Sequence, residues 1–242
     1  MANDFTFTFN APVQATPLIA AAAITASTAR SAAADTSVSS VGNALNVKPV
    51  LQSFDIFPTR IWQSRLTSLQ ALLPQWIDAA LALRAANPTP AGRTNRQGWN
   101  SSDMAVLEHA VFADLRYAIH SACAAALREM GQGELRFELQ SWINMHDRGG
   151  FNFLHAHEGT LLSGSFYVQV PAGSGEFVFR DPRPGVVHGY VKGAVPNGYG
   201  DIHLTPAAGL LVLFPCWMEH YVEPHDHDDP RIAIAFNARA PA

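Results

Sequence analysis

At 242 residues the chain is long enough for one larger all-β domain, or for a smaller domain with a helical annex. A formal charge of -4 gives no reason to expect nucleic acid or an acidic membrane as partner. Apolar residues make up 48% and charged residues only 15%, so Ala, Ser and Thr fill much of the remainder.

Residues 1–47 form an Ala/Ser/Thr-rich N-terminal arm, which composition alone predicts to be flexible. Within it FTFTFN (Phe5 to Asn10) alternates like a strand. Such an arm could dock on the body or on a second subunit, which leaves a homodimer open. The run Pro17 to Ala26 resembles the apolar part of a signal peptide, but the first basic residue is Arg30, so no export signal is expected. No stretch reaches the length of a membrane span. Cys123 and Cys216 stand far apart in apolar contexts and match no disulfide or metal pattern. They predict free thiols in a reducing compartment, the cytoplasm.

Residues 48–242 form the expected folded domain, with helical support over about 66–130 and a β core over about 135–238. Leu51 to Leu66 alternates as one strand, or as two broken at Pro58. Leu66, Leu69, Leu73, Ile77 and Leu81 recur at helical spacing, with Pro74 implying a kink or a new helix start. Asn87 to Asp103 reads as a loop, from which Ser101, Ser102 or Asp103 could cap the next helix. That helix buries Phe112, Leu115, Ile119, Cys123 and Leu127 and ends at Gly131 and Gly133. Strands are expected at 135–146, 151–157, 161–170, 175–180, 186–192, 201–204, 209–214 and 231–237. Eight short strands separated by turn residues indicate a mainly β fold, most simply a double-sheet jelly roll.

Three histidines stand out from the ten. His155 and His157 are two apart, so an extended strand turns both imidazoles to one face. His220 follows a strand-like apolar run, and Arg231 opens the next one. Three such ligands leave positions free on a metal, and a buried guanidinium can bind a carboxylate bidentately. Imidazole suits iron, copper, zinc and nickel, so the spacing alone leaves the metal open. The remaining histidines, His146 among them, read as structural or solvated. His225 and His227 lie in PHDHDDP, an acidic loop expected to be exposed.

The block NFLHAHEGTLLSGSFYVQVPAGSGEFVFRDPR, with GLLVLFPCWMEHYVEP and RIAIAFN, resembles the bacterial 2-oxoglutarate/iron(II)-dependent oxygenases of the HxH...H...R subgroup. Their pattern runs N-x-x-H-x-H-x-x-x-x-L-S-G-x-Y-Y-V, then F-x-D-P-R, L-F-P-S-x-x-x-H-x-V-x-P and R-x-S-x-x-F-N. The resemblance covers about residues 52–238. It implies a double-stranded β-helix (jelly roll) with the metal at one open end, and a cytoplasmic dioxygenase using Fe(II), 2-oxoglutarate and molecular oxygen. By the same resemblance His155, His157 and His220 are the metal ligands and the catalytic centre. Arg231 pairs with the distal carboxylate of 2-oxoglutarate, and an unidentified primary substrate is hydroxylated. Asn144 and Asn152 are candidates for hydrogen bonds to the co-substrate or to a ligand histidine. Tyr167 is a candidate for the same carboxylate as Arg231, or else a core tyrosine bonded to backbone.

The chain departs from the pattern in three places. His157 stands where the wider superfamily has a carboxylate, and Glu158 faces away on a regular strand. Ala233 replaces the serine of R-x-S, and Cys216 that of F-P-S. Two other readings therefore stand beside the first: a cupin-type three-histidine metal oxygenase or hydrolase without 2-oxoglutarate, and a non-catalytic jelly-roll binding module. Asp181 and Arg183 are read as a turn-fixing ion pair, and Trp142, Trp217 and Phe166 as core.

Overall fold

The computed structural model describes residues 57–193 and 198–241. The N-terminal arm and the strand expected from Leu51 lie outside these residues, except that Trp62–Arg65 forms a short strand, β1. Leu66 then enters a 3-10 turn over Thr67–Leu72, and the first helix, α1, runs Leu73–Ala86. Pro74 sits in its first turn, where the missing N–H has no intrahelical partner to lose, so it starts this helix rather than kinking it. Trp76 and Ala80 carry the buried face, while Leu81 is 41% exposed, so the apolar stripe lies slightly rotated from the leucine spacing.

The segment expected as a loop contains a strand, β2 (Asn95–Asn100), whose polar residues hid it. Ser101 does not cap a helix; its hydroxyl accepts from the Ile143 N–H at 3.0 Å, while Asp103 accepts from the Ala105 N–H. Two 3-10 turns intervene before α2 (Ala113–Glu129), which has no side-chain cap. Its apolar face is as the spacing predicts: Phe112, Leu115, Ile119, Cys123 and Leu127 are all buried.

The β core begins with β3, an uninterrupted 18-residue strand Glu138–His155 in place of two shorter ones. It continues as β4 (Leu162–Gln169), β5 (Phe177–Phe179), β6 (Ile202–Leu204), β7 (Leu210–Pro215), β8 (His220–Val222) and β9 (Arg231–Arg239). The expected strand at 186–192 is a 3-10 turn at Val186–His188 with exposed Val187, Tyr190 and Val191. Among the described residues it pairs with no strand of the sheet and makes only an isolated bridge, Lys192 to Tyr199, so its β-branched residues join no ladder.

All strands join one curled antiparallel sheet in the order β1-β7-β4-β9-β3-β8-β5-β6, with β2 also on β3. The first half of β3 pairs with β9, from Glu138 opposite Arg239 to His146 opposite Arg231. Its end pairs with β8, placing His155 opposite His220. One strand thus serves both halves of the sheet. Between them Gly149 takes φ 76°, and its N–H donates to the His225 carbonyl at 2.6 Å. At Gly150 a Cβ would lie 2.5 Å from the Gln97 carbonyl oxygen, so the chain passes here only without a side chain.

The two sheet faces do different work. Ile143, Met145, Phe166, Ile232, Ile234 and Phe236 face the helices and form the main core with Trp76, Phe112 and Ile119. Tyr167, Phe177, Phe179, Phe214, Val222 and Ala233 form a second, smaller cluster. The alternation along β9 separates the two, as a period of two requires. Trp76 joins the helix layer to the sheet, with its ring edge-on to Phe166 at 5.7 Å and its indole N–H on the Val111 carbonyl. Trp76→Ala is expected to cost about 3–5 kcal/mol in urea unfolding, the range for large aromatic truncations in cores. Among the described residues no helix is long and apolar enough to cross a membrane.

Candidate metal and co-substrate site

The sheet encloses a cavity of about 300 Å³. His155, His157 and His220 converge on it, each offering a ring nitrogen within 4.8 Å of the others. Their ring centroids are 4.3 Å apart for His155 and His220, 5.0 Å for His155 and His157, and 5.2 Å for His157 and His220. His155 ends β3 and His220 begins β8, so their closeness follows from the ladder. His157 lies two residues beyond the strand. Its amide donates to the Cys216 carbonyl at 2.9 Å, which holds it beside the other two.

The ring nitrogens are committed in a useful way. His155 Nδ1 lies 2.6 Å from the Phe153 carbonyl, and His220 Nδ1 lies 2.9 Å from the Met218 carbonyl. A carbonyl can only accept, so Nδ1 carries the proton and Nε2 presents its lone pair. This is the tautomer a metal needs, and the backbone partners supply the orienting shell. Burial keeps all three rings neutral. It lowers His155, lowers His157 to about 4 with help from His155, and lowers His220 well below its ordinary value.

Arg231 stands at another part of the same wall, only 2% exposed. Its Nη1 donates to the Gly175 carbonyl at 2.6 Å, while its Nε is buried without a partner. Its guanidinium carbon lies 5.7 Å from the centre of the Tyr167 ring, and the Tyr167 hydroxyl is likewise buried and unpartnered. Burial pushes that phenol up to about 12, with Arg231 opposing, so it stays a donor. Unmatched buried donors beside a cation fit an acidic ligand, and three neutral imidazoles fit a first-row divalent metal.

Asn144 and Asn152 both line the cavity. Asn152 donates its amide to Thr94 at 2.8 Å, and a register shift between Asn152 and His155 lets both residues face inward although they are three apart. Trp142 is buried as expected, but it also lines the cavity, with its ring 5.8 Å from His157. Phe166 is core, whereas Trp217 is 53% exposed and belongs to no core cluster. Arg183 donates twice to Asp181 and once to the Gly198 carbonyl, as a turn-fixing pair should. His225 corrects the reading of its loop: it is 3% exposed, with Nε2 on the His146 carbonyl at 3.0 Å, while the His227 side chain is 41% exposed.

Residues 140–237 match the sequence profile of the family described as Putative 2OG-Fe(II) oxygenase. That stretch, which holds all three convergent histidines and Arg231, is similar to a 2OG-Fe(II) oxygenase domain. The fold of the chain is similar to that of a Pseudomonas putida prolyl-4-hydroxylase, with TM-score 0.57 at 15% identity over 76% of this chain and 94% of that one. It is similar also to the non-heme alpha ketoglutarate dependent epimerase SnoN from nogalamycin biosynthesis, with TM-score 0.56 at 15% identity over 75% and 78%. A third is a prolyl hydroxylase from Trichoplax adhaerens, solved with a hypoxia inducible factor peptide, with TM-score 0.51 at 13% identity over 74% and 83%. At these identities the likeness establishes the fold, a double-stranded β-helix. No curated protein matches the chain in sequence.

Two cavity residues escape a reading by motif. His146 is 2% exposed, and neither ring nitrogen has a partner. A lone histidine carries no signal, yet it shares the strand parity of Trp142 and Asn144 and stands opposite Arg231. Burial, then repulsion from Arg231, pushes it down to about 3. Below its ordinary pKa of 6.5 the unfolded chain takes up a proton that the folded domain refuses, so His146 costs stability as pH falls from 6.5 toward 3. In urea unfolding of the metal-free protein, H146N is expected to lose part of this acid slope, on the order of a few kcal/mol in total. An unchanged slope would show that His146 titrates alike folded and unfolded. The other residue is Arg93.

Proposed function

We propose that the oxygenase domain hydroxylates a small organic substrate, with iron(II) held by His155, His157 and His220 and 2-oxoglutarate held at its distal carboxylate by Arg231. The observation that carries the reading is one cavity in which three neutral imidazoles converge beside a buried guanidinium with an unused donor. Iron(II) bound with 2-oxoglutarate and molecular oxygen supplies the oxidising chemistry, with succinate as co-product. The chain's own residues supply position. The Phe153 and Met218 carbonyls hold the ligand tautomers, and the Cys216 carbonyl holds His157. Tyr167 adds a hydroxyl donor beside Arg231, while Asn144 and Asn152 offer amides along the wall. Phe177 and Phe214 pack around His220 at ring distances of 5.1 and 4.7 Å and keep water from that side of the imidazole.

A cupin-type site without 2-oxoglutarate would leave the Arg231 donor without a task, so the co-substrate reading accounts for more of the cavity. Two unpaired cysteines support a cytoplasmic location as part of this reading. Anaerobic addition of iron(II) and then 2-oxoglutarate should bring up a weak visible charge-transfer band, and aerobic incubation should release succinate. Neither band nor succinate under any substrate would sink the assignment.

A further inference from the structure

The cavity wall is a trough laid along β3 and β9, and the register orders its contents. His146 lies opposite Arg231, Asn144 opposite Ala233, Trp142 opposite Ala235, and Gln140 opposite Asn237. All eight line the cavity. At a strand rise of about 3.3 Å per residue, Ala235 lies about 13 Å along β9 from Arg231, and Asn237 about 20 Å. The co-substrate reading occupies the Arg231 end. The other end has its own cation. Arg93, from the segment before β2, lines the cavity with its guanidinium carbon 5.4 Å from the centre of the Trp142 ring. Its Nη2 touches the Met104 sulfur, and it forms no ion pair among the described residues.

Among the described residues, none that lines the cavity is acidic. Three imidazole ligands add no negative charge to a divalent iron, unlike a set containing a carboxylate. Iron(II), Arg93 and Arg231 together carry more positive charge than the dianion 2-oxoglutarate offsets. Arg93 is exposed at the rim of the cavity rather than buried like Arg231, and an uncompensated cation there attracts negative charge, so the remaining ligand should bring its anionic group to the Arg93 end. Uncharged hydrogen-bonding groups at that end, Gln140, Asn237 and Ser165, suit the polar body of such a ligand. The total volume of about 300 Å³, shared with a co-substrate, suits a small molecule.

We infer that the primary substrate is a small organic anion whose carboxylate or phosphate is bound by Arg93, with its adjoining hydrocarbon against Trp142. The inference rests on the function proposed above, because it assigns the Arg231 end to 2-oxoglutarate. Two ends with one cation each then orient the two anions apart, and the His157 ring, 5.8 Å from that of Trp142, stands close to where the substrate hydrocarbon would lie.

The test uses the full chain loaded with zinc in place of iron and saturated with 2-oxoglutarate, so that no turnover occurs. Alkyl and aryl carboxylates and phosphate monoesters are titrated by calorimetry, each against its neutral amide or alcohol. At least one acid should bind about tenfold or more tightly than its neutral match, in keeping with a charge-assisted guanidinium contact. Whether that acid is a carboxylate or a phosphate ester identifies the source of the charge. R93Q should remove the preference while 2-oxoglutarate binds as before, and R93K should restore part of it. Acids bound no better than their neutral matches, or a preference unchanged in R93Q, would overturn the inference. Failure of the unaltered protein to bind 2-oxoglutarate would instead strike the proposed function and take this inference with it.

Discussion

H157A is expected to lose iron(II) affinity by at least about a hundredfold and to lose turnover with it, since even partners outside the ligand shell are worth 10–100-fold. H157D should keep the metal. It restores an anionic ligand at the position beside His155 and offsets charge on the metal that neutral imidazole leaves uncompensated. Iron stoichiometry and apparent affinity, measured side by side, separate the outcomes, and full affinity in H157A would exclude His157 from the ligand set. The other His-x-His pair makes an informative control because its members differ. H227A alters a side chain 41% exposed and should leave iron binding untouched. H225A removes a buried ring bonded to the His146 carbonyl, and is expected to cost about 1–3 kcal/mol of stability without touching a ligand.

R231Q is expected to weaken 2-oxoglutarate binding by about 2–5 kcal/mol, the usual cost of removing one partner from a desolvated charge pair. Iron binding should survive, because Arg231 is not among the convergent nitrogens. R231K should recover little, since an ammonium lacks the planar fork and cannot keep the Gly175 carbonyl bond while also meeting a carboxylate. The visible band formed on co-substrate addition reads this directly, with metal content as the control for folding. An unchanged 2-oxoglutarate affinity in R231Q would remove the arginine from the co-substrate end.

The parts of the fold that were legible in the sequence are those where a periodic apolar pattern met a matching tertiary demand. The α2 stripe from Phe112 to Leu127 is buried throughout, and β4, β7 and β9 are rich in apolar residues. The failures have local causes. β2 is Asn-Arg-Gln-Gly-Trp-Asn, polar because it pairs with β3 alone, and of its apolar side chains only Trp99 reaches the main core. β8 is three residues long and follows a turn, too short for any pattern. The stretch Val186 to Val191 looks like a strand and is not one, because β-branched residues form a ladder only where a neighbour is available. At the site, histidine spacing in strand context pointed to the triad that converges, whereas His146 and Arg93 are set by pairing across strands and by a loop path. Neither is written in local spacing.

The continuous β3 has an implication for how new specificities could arise on this chain. Its inward and helix-facing positions alternate, so Gln140 and Trp142 can change while Leu139, Ser141 and Ile143 keep the helices in place. The same holds across the ladder for Ala235 and Asn237 against Ile234 and Phe236. On the proposed assignment one end of the trough serves the reaction and the other whatever molecule is presented, and both are graduations on a single rigid ruler. A library randomised at 93, 140, 142, 235 and 237 would therefore sample new substrates on an intact scaffold, leaving the reaction machinery as an interchangeable engine behind them.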